Sequence, residues 1–223
     1  MTMRQIPLEL PVESAQARED LIVSPSNRQA VDFIDAWPDW PGTLAVLAGP
    51  VGSGKSHMAA VWAARAGARN LPMARIEAIG DEIEALENVV LEDAREGAIP
   101  ETALFHLINH LRACGGHCLI TSRQWPTAWQ VELPDLVSRL RAAQLVELAE
   151  PDDLLLRQVI VKLFSDRQIA VDPGVVDYLV TRMERSLGAA GELVAEMDRE
   201  ALARGAKVTR TIAASALKSL SMA

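Results

Sequence analysis

One octapeptide restricts this chain more than anything else in it. Residues 49–56 read Gly49-Pro50-Val51-Gly52-Ser53-Gly54-Lys55-Ser56 and match G-x-x-x-x-G-K-[ST] at every fixed position. Glycines let backbone N–H groups close around phosphate oxygens. Lys55 reaches the outer phosphates of a bound nucleotide, ATP or ADP, and the Ser56 hydroxyl can ligate magnesium. The chemistry requires a strand leading into the loop and a helix leaving it, so that the helix N-terminus faces the anion. The flanks supply both. Leu44–Ala48 (LAVLA) is a short apolar run of the kind buried in a parallel sheet, and residues 57–66 form an alanine-rich helical stretch. His57, next to the loop, reads as a helix residue turned into the domain.

Beyond the loop, strand and helix patterns alternate. Residues 88–91, 117–121 and 145–148 read as further buried strands. Residues 101–113 have helical apolar spacing at Leu104, Leu107, Ile108 and Leu111, and residues 134–143 read as a helix. The alternation implies an α/β fold, a parallel sheet sandwiched by helices. The character changes after Pro151. A helix over 152–168 begins at acidic Asp152 and Asp153. Asp172 and Pro173 start another that runs to about residue 184. A third stops at Gly205, and Thr209 starts a fourth. The expected organisation is a polar tail over 1–19, a nucleotide-binding α/β domain over 20–150 and a small all-helical lid over 151–223.

A second strand should supply an acidic residue to the magnesium at its end. Val89-Val90-Leu91-Glu92-Asp93 is the candidate, with Glu92 toward the metal and Asp93 orienting water. The usual order has Asp first. A longer acid at the metal position and a shorter one at the water position misplace their oxygens, so slow intrinsic hydrolysis is expected.

The chain has 223 residues and a formal charge of −8, without the broad basic footprint of a DNA-binding domain. No sequence-specific DNA binding is expected. It has no apolar run of membrane-spanning length, and its N-terminus lacks the pattern of a secretory signal, so a cytoplasmic protein is expected. Cys114 and Cys118 have only His110 and His117 nearby, and a buried reduced thiol explains Cys118 better than zinc does.

A phosphate loop, acidic strand end and helical lid in this order resemble the AAA+ ATPases, and the details resemble their DnaA branch. Leu21-Ile22-Val23-Ser24-Pro25-Ser26-Asn27 is similar to the segment that packs near adenine in that branch. Gly54-Lys55-Ser56-His57 resembles its GKTH. Leu119-Ile120-Thr121-Ser122-Arg123 falls where the family has its first sensor, with Arg123 replacing a residue that is often acidic. Leu133-Pro134-Asp135-Leu136-Val137-Ser138-Arg139-Leu140 matches the segment with the arginine finger. The resemblance covers about residues 20 to 220. It implies that Leu21, Ile22, Asn27, Ser122 and, as second sensor, Arg185 contact nucleotide, and that Arg139 acts in trans. A shifted alignment would put Gly188 at the second-sensor position.

Gln5-Ile6-Pro7-Leu8-Glu9-Leu10 resembles the peptide by which bacterial proteins dock on the sliding clamp, the β subunit of DNA polymerase III. Apolar anchors at Ile6, Leu8 and Leu10 would enter a groove while Gln5 makes directional hydrogen bonds. No basic helix-turn-helix follows the lid in this sequence. Together these imply a regulator that docks on the clamp and stimulates ATP hydrolysis by DnaA. The rival expectations are a self-contained ATPase such as a helicase loader, and a DNA-binding initiator paralogue. Self-association is compatible with either.

Overall fold

The computed structural model describes Arg18 and residues 21–221. Five strands form one parallel sheet: β1 (Leu44–Ala48), β2 (Arg69–Pro72), β3 (Asn88–Ala94), β4 (His117–Ser122) and β5 (Gln144–Glu147). Their spatial order is β2-β3-β4-β1-β5. The three central strands are apolar on both faces, and the pleat sends alternate side chains to opposite sides. Leu44, Val46, Val89, Leu91, Cys118 and Ile120 enter one core. It is shared with α3 (Glu101–Cys114), α4 (Pro134–Arg141) and a 3-10 stretch over Met73–Ala85. Ala45, Leu47, Val90 and Leu119 enter the other, with α1 (Arg28–Asp35) and α2 (Lys55–Ala66). Both faces are therefore covered, which is why these strands read as continuous apolar runs.

Helices α5 (Asp153–Asp166), α6 (Pro173–Val180), α7 (Leu187–Arg204) and α8 (Arg210–Ser221) build a third apolar core of their own. Asp152, Asp172 and Ser186 cap α5, α6 and α7 by accepting backbone N–H bonds from Leu155, Gly174 and Ala189. α6 ends at Val180 rather than near 184. The N–H groups of Arg182 and Met183 both turn back to the Leu179 carbonyl, closing the helix early. Several elements have no counterpart in the sequence reading, among them α1, the 3-10 stretch over Met73–Ala85 and β2, a mostly exposed edge strand whose sequence, RNLP, has no apolar run. β2 exists because β3 offers it a ladder. No helix among the described residues is long and apolar enough to cross a membrane.

Candidate functional site

The loop 49–54 leaves β1 and delivers the chain into α2. Gly52 and Gly54 both have positive φ, 75° and 101°, which glycine adopts without steric cost. Gly49 also has no room for a side chain, because a Cβ there would lie 2.1 Å from the Leu148 carbonyl oxygen. The helical part closes directly on this loop. Leu187 N–H donates to the Gly52 carbonyl at 2.7 Å, and a Cβ on Gly52 would lie 1.9 Å from Ser186 Oγ.

Between loop and lid lies a cavity of ≈ 740 Å³, within the range of small-molecule sites. Gly52, Ser53, Gly54, Lys55, Ser56 and His57 line its loop end, and Leu21, Ile22 and Asn27 line another wall. Asn27 is buried and pins this wall. Its amide donates to the Ile22 carbonyl at 2.8 Å and accepts from Ser24 N–H at 2.8 Å. Ser26 N–H in turn donates to Asp152 at 3.1 Å, tying the wall to the start of α5. Burial raises the Asp152 carboxyl, but the N–H groups of Leu155 and Ser26 outweigh this and hold it below its usual range. The third wall is α5, through Leu155, Val159, Lys162, Leu163, Asp166 and Arg167. No motif marks these six. Their spacing of i, i+4, i+7, i+8, i+11 and i+12 does place them on one helical face.

Lys55 Nζ donates to the carbonyls of Gly49 at 2.8 Å and Pro50 at 2.6 Å. Burial pushes the ammonium below its ordinary range, the Arg123 charge adds to this, and Asp93 opposes it. Arg123 follows the end of β4, where the Ser122 carbonyl accepts from Gly49 N–H at 3.2 Å. Lys55 therefore feels the field of one further cation and of one carboxylate.

That carboxylate is Asp93, and the structure alters the expected division of labour. In a regular strand Glu92 and Asp93 would face opposite sides. The β3–β4 register shifts between Leu91 and Ala94, and Asp93 takes φ 62°, with its N–H donating to Thr121 Oγ1 at 3.3 Å. This irregularity re-aims the acid. Glu92, expected toward the metal, instead accepts from Asn70 Nδ2 of β2 at 2.7 Å. Among the described residues, no group of three or more His, Cys, Asp or Glu could hold a metal ion. Ser56 lines the cavity, whereas the exposed Asp93 carboxylate lies 3.9 Å from Arg95 Nη1. The exposed Cys114 lies with Sγ 3.9 Å from His110 Nε2, whereas Cys118 is fully buried and its thiol is pushed up to about 12 by burial.

Two further expected contacts are placed elsewhere. Ser122 is buried, and its hydroxyl donates to Ala94 O at 2.7 Å while accepting from Trp129 Nε1 and Gln124 N–H, both at 3.1 Å. It ties the end of β4 to β3 and to Trp129 and is not among the residues that line the cavity. Arg185 is exposed and pairs with Asp153, Nη1 to Oδ1 at 2.7 Å; Gly188, not Arg185, lines the cavity. The pair directs Arg185 toward the start of α5.

Arg139 stands at the other end of the sheet. It lines a second cleft, ≈ 670 Å³, with residues 41–44, which lead into β1. The phosphate loop begins where β1 ends, five residues on, which at about 3.3 Å per residue is roughly 16 Å away. Arg139 makes no ion pair with Asp135. Its guanidinium lies over the Phe105 ring, 5.3 Å from the centroid, and its buried Nε has no hydrogen-bond partner. A buried donor without an acceptor costs about 1–3 kcal/mol. Gln5, Ile6, Leu8 and Leu10 lie outside the described residues.

No protein-family profile matches the chain. An uncharacterised protein of Haemophilus influenzae is 26% identical over 167 residues, covering 69% of this chain and 72% of that one. Solved structures are similar at the level of fold. Domain III of the replication initiation protein DnaA from Thermotoga maritima superposes with a TM-score of 0.80 at 17% identity, covering 94% of this chain and 98% of that one. DnaA bound to AMPPCP and single-stranded DNA gives 0.67 at 20% identity, covering 84% of this chain and 66% of that one. A RuvB mutant from Thermotoga maritima gives 0.65 at 16%, covering 87% and 68%. The parallel sheet, the phosphate loop after its β1 strand and the helical region closing over that loop thus form a DnaA-like AAA+ fold.

Proposed function

We propose that this chain is a nucleotide-binding regulator of replication initiation, of the Hda type, which docks on the sliding clamp and stimulates ATP hydrolysis by DnaA. The observation that carries this reading is the disposition of Arg139. A cation serving its own site belongs near the phosphate loop. Arg139 lies at the opposite end of β1 and has no acidic partner among the described residues. That suits an arginine finger, which neutralises charge developing on a phosphoryl group held by a neighbour and is worth roughly 10³–10⁵ in rate.

The chain's own cavity supports ATP or ADP as the bound nucleotide. The backbone of residues 49–54, Lys55 and Ser56 would hold the phosphates, and the apolar wall of Leu21, Ile22, Val159 and Leu163 suits a base. Magnesium would supply charge neutralisation at the phosphates. The Glu92–Asn70 bond and the displaced Asp93 agree with slow intrinsic turnover. The clamp assignment rests on the sequence of residues 5–10.

The test is turnover of DnaA-bound ATP with clamp loaded on DNA. Arg139→Ala is expected to lose at least about 10³-fold of the stimulation. Arg139→Lys is expected to rescue little, because a point charge cannot replace the planar fork. Stimulation at the wild-type level by Arg139→Ala would refute the finger. Separately, changing Gln5, Leu8 and Leu10 together to Ala is expected to abolish clamp binding and leave nucleotide affinity intact. Unchanged clamp affinity would remove the docking assignment.

A further inference from the structure

The cleft around Arg139 is built from two helix faces and a strand entrance. Phe105, Ile108 and Arg112 recur at i, i+3 and i+7 and share one face of α3. Asp135, Ser138, Arg139 and Ala142 recur at i, i+3, i+4 and i+7 along α4 and the residue after it. Residues 41–44 close the third side, and a Cβ on Gly42 would meet nothing within 4 Å. The cleft thus has two arginines and one aspartate, a local charge of +1 on a chain of −8.

Among the described residues, the side chains of Arg112, Asp135 and Arg139 make no ion pair or side-chain hydrogen bond, although Arg139 stacks on Phe105. Arg112, in the last turn of α3, would favour the helix dipole wherever it pointed. Its place in the same cleft as Arg139 is a separate fact. Two guanidinium forks and a hydroxyl in one open cleft suit a multiply charged oxyanion, and phosphate above all.

We infer that this cleft is a phosphate-chain site, in which Arg112 and Ser138 act with Arg139 on the terminal phosphates of a nucleotide held by the partner protein. The inference deepens the function proposed above and rests on it for the identity of the partner. One guanidinium can neutralise the transferred group, while the second reports whether a third phosphate is there at all. The cleft thereby distinguishes a triphosphate-loaded partner from a diphosphate-loaded one. Asp135, in the same cleft, weakens retention of the anion.

The site is tested first in the full chain with its own loop silenced by Lys55→Ala. Inorganic tripolyphosphate, titrated by calorimetry, is expected to bind saturably. Adding Arg112→Ala is expected to weaken it about tenfold, and adding Asp135→Asn to strengthen it severalfold. Absence of binding, or binding indifferent to both changes, overturns the inference. The second arm compares affinity for DnaA loaded with ATP and with ADP. The wild-type chain is expected to prefer the ATP form, and Arg112→Ala to reduce that preference at least fivefold, with partial rescue by Arg112→Lys. If wild type stimulates DnaA and Arg112→Ala keeps the full preference, the inference fails and the proposed function stands. If tripolyphosphate binds through Arg112 but wild type has no effect on DnaA, the proposed function fails and the partner assignment with it.

Discussion

The two ends of the β-sheet treat their cations differently. At the C-terminal end, Lys55 is held by two carbonyls of its own loop, and Asp93 lies within electrostatic reach. At the N-terminal end, Arg139 has an aromatic face beneath it and, among the described residues, no acceptor at Nε, and Arg112 shares its cleft. A parallel sheet makes the two ends chemically distinct, because every strand runs the same way. At one end the cation is held by its own loop, while at the other the guanidinium has no hydrogen-bond partner at Nε among the described residues. The difference separates what the protein does for itself from what it would do to a neighbour.

The sharpest way to break this comparison is to cross the two cations. Lys55→Ala is expected to weaken ATP and ADP binding by about 100-fold, since a charge-assisted contact to phosphate contributes up to about 3 kcal/mol. Arg139→Ala should leave the same affinities within twofold of wild type. Calorimetric titration with both nucleotides decides it, and a comparable loss in the two variants would mean that the ends are not independent.

A smaller effect tests how firmly the lid sits on the loop. Gly52→Ala puts a Cβ 1.9 Å from Ser186 Oγ at a position with φ 75°. Left-handed backbone alone costs an alanine about 1–2 kcal/mol, and the displaced α7 cap adds to it. We expect about 2 kcal/mol of lost stability in urea unfolding. An unchanged midpoint would show that the loop and lid do not touch in solution.

The smallest effect concerns Arg185. Its pair with Asp153 is 46% and 61% exposed at the two side chains, so it contributes at most about 0.5 kcal/mol. Arg185→Ala is expected to change nucleotide affinity less than twofold. A tenfold loss would mean that Arg185 leaves Asp153 for the phosphates once nucleotide binds, and would restore it as the second sensor.

Much of this arrangement was legible in the linear chain because it rests on short-range rules. The octapeptide needs only its own glycines and the strand and helix beside it. The apolar runs at 44–48 and 117–121 identify central strands because both faces of each are covered. Asp152, Asp172 and Gly205 mark helix ends through bonds to residues within one turn. β2 escaped because an edge strand of four mostly exposed residues has no pattern of its own. The α5 wall of the cavity carried a helical signal, but nothing local says what such a face will meet.

The sequence by itself determined the phosphate loop, the α/β class, the helical lid and the candidacy of Arg139. Each depends on residue type and spacing within a few turns of chain. The tertiary structure alone decided how the acids and arginines are used. An irregularity in the β3–β4 register re-aimed Asp93, whose carboxylate lies 3.9 Å from Arg95, while Glu92 went to Asn70. The turn before α7 gave Arg185 to Asp153, and the packing of α3 against α4 brought Arg112 and Arg139, 27 positions apart in the numbering, into one cleft. Charges interact through space, at distances set by the packing of elements remote in sequence, so no local pattern could have assigned those partners.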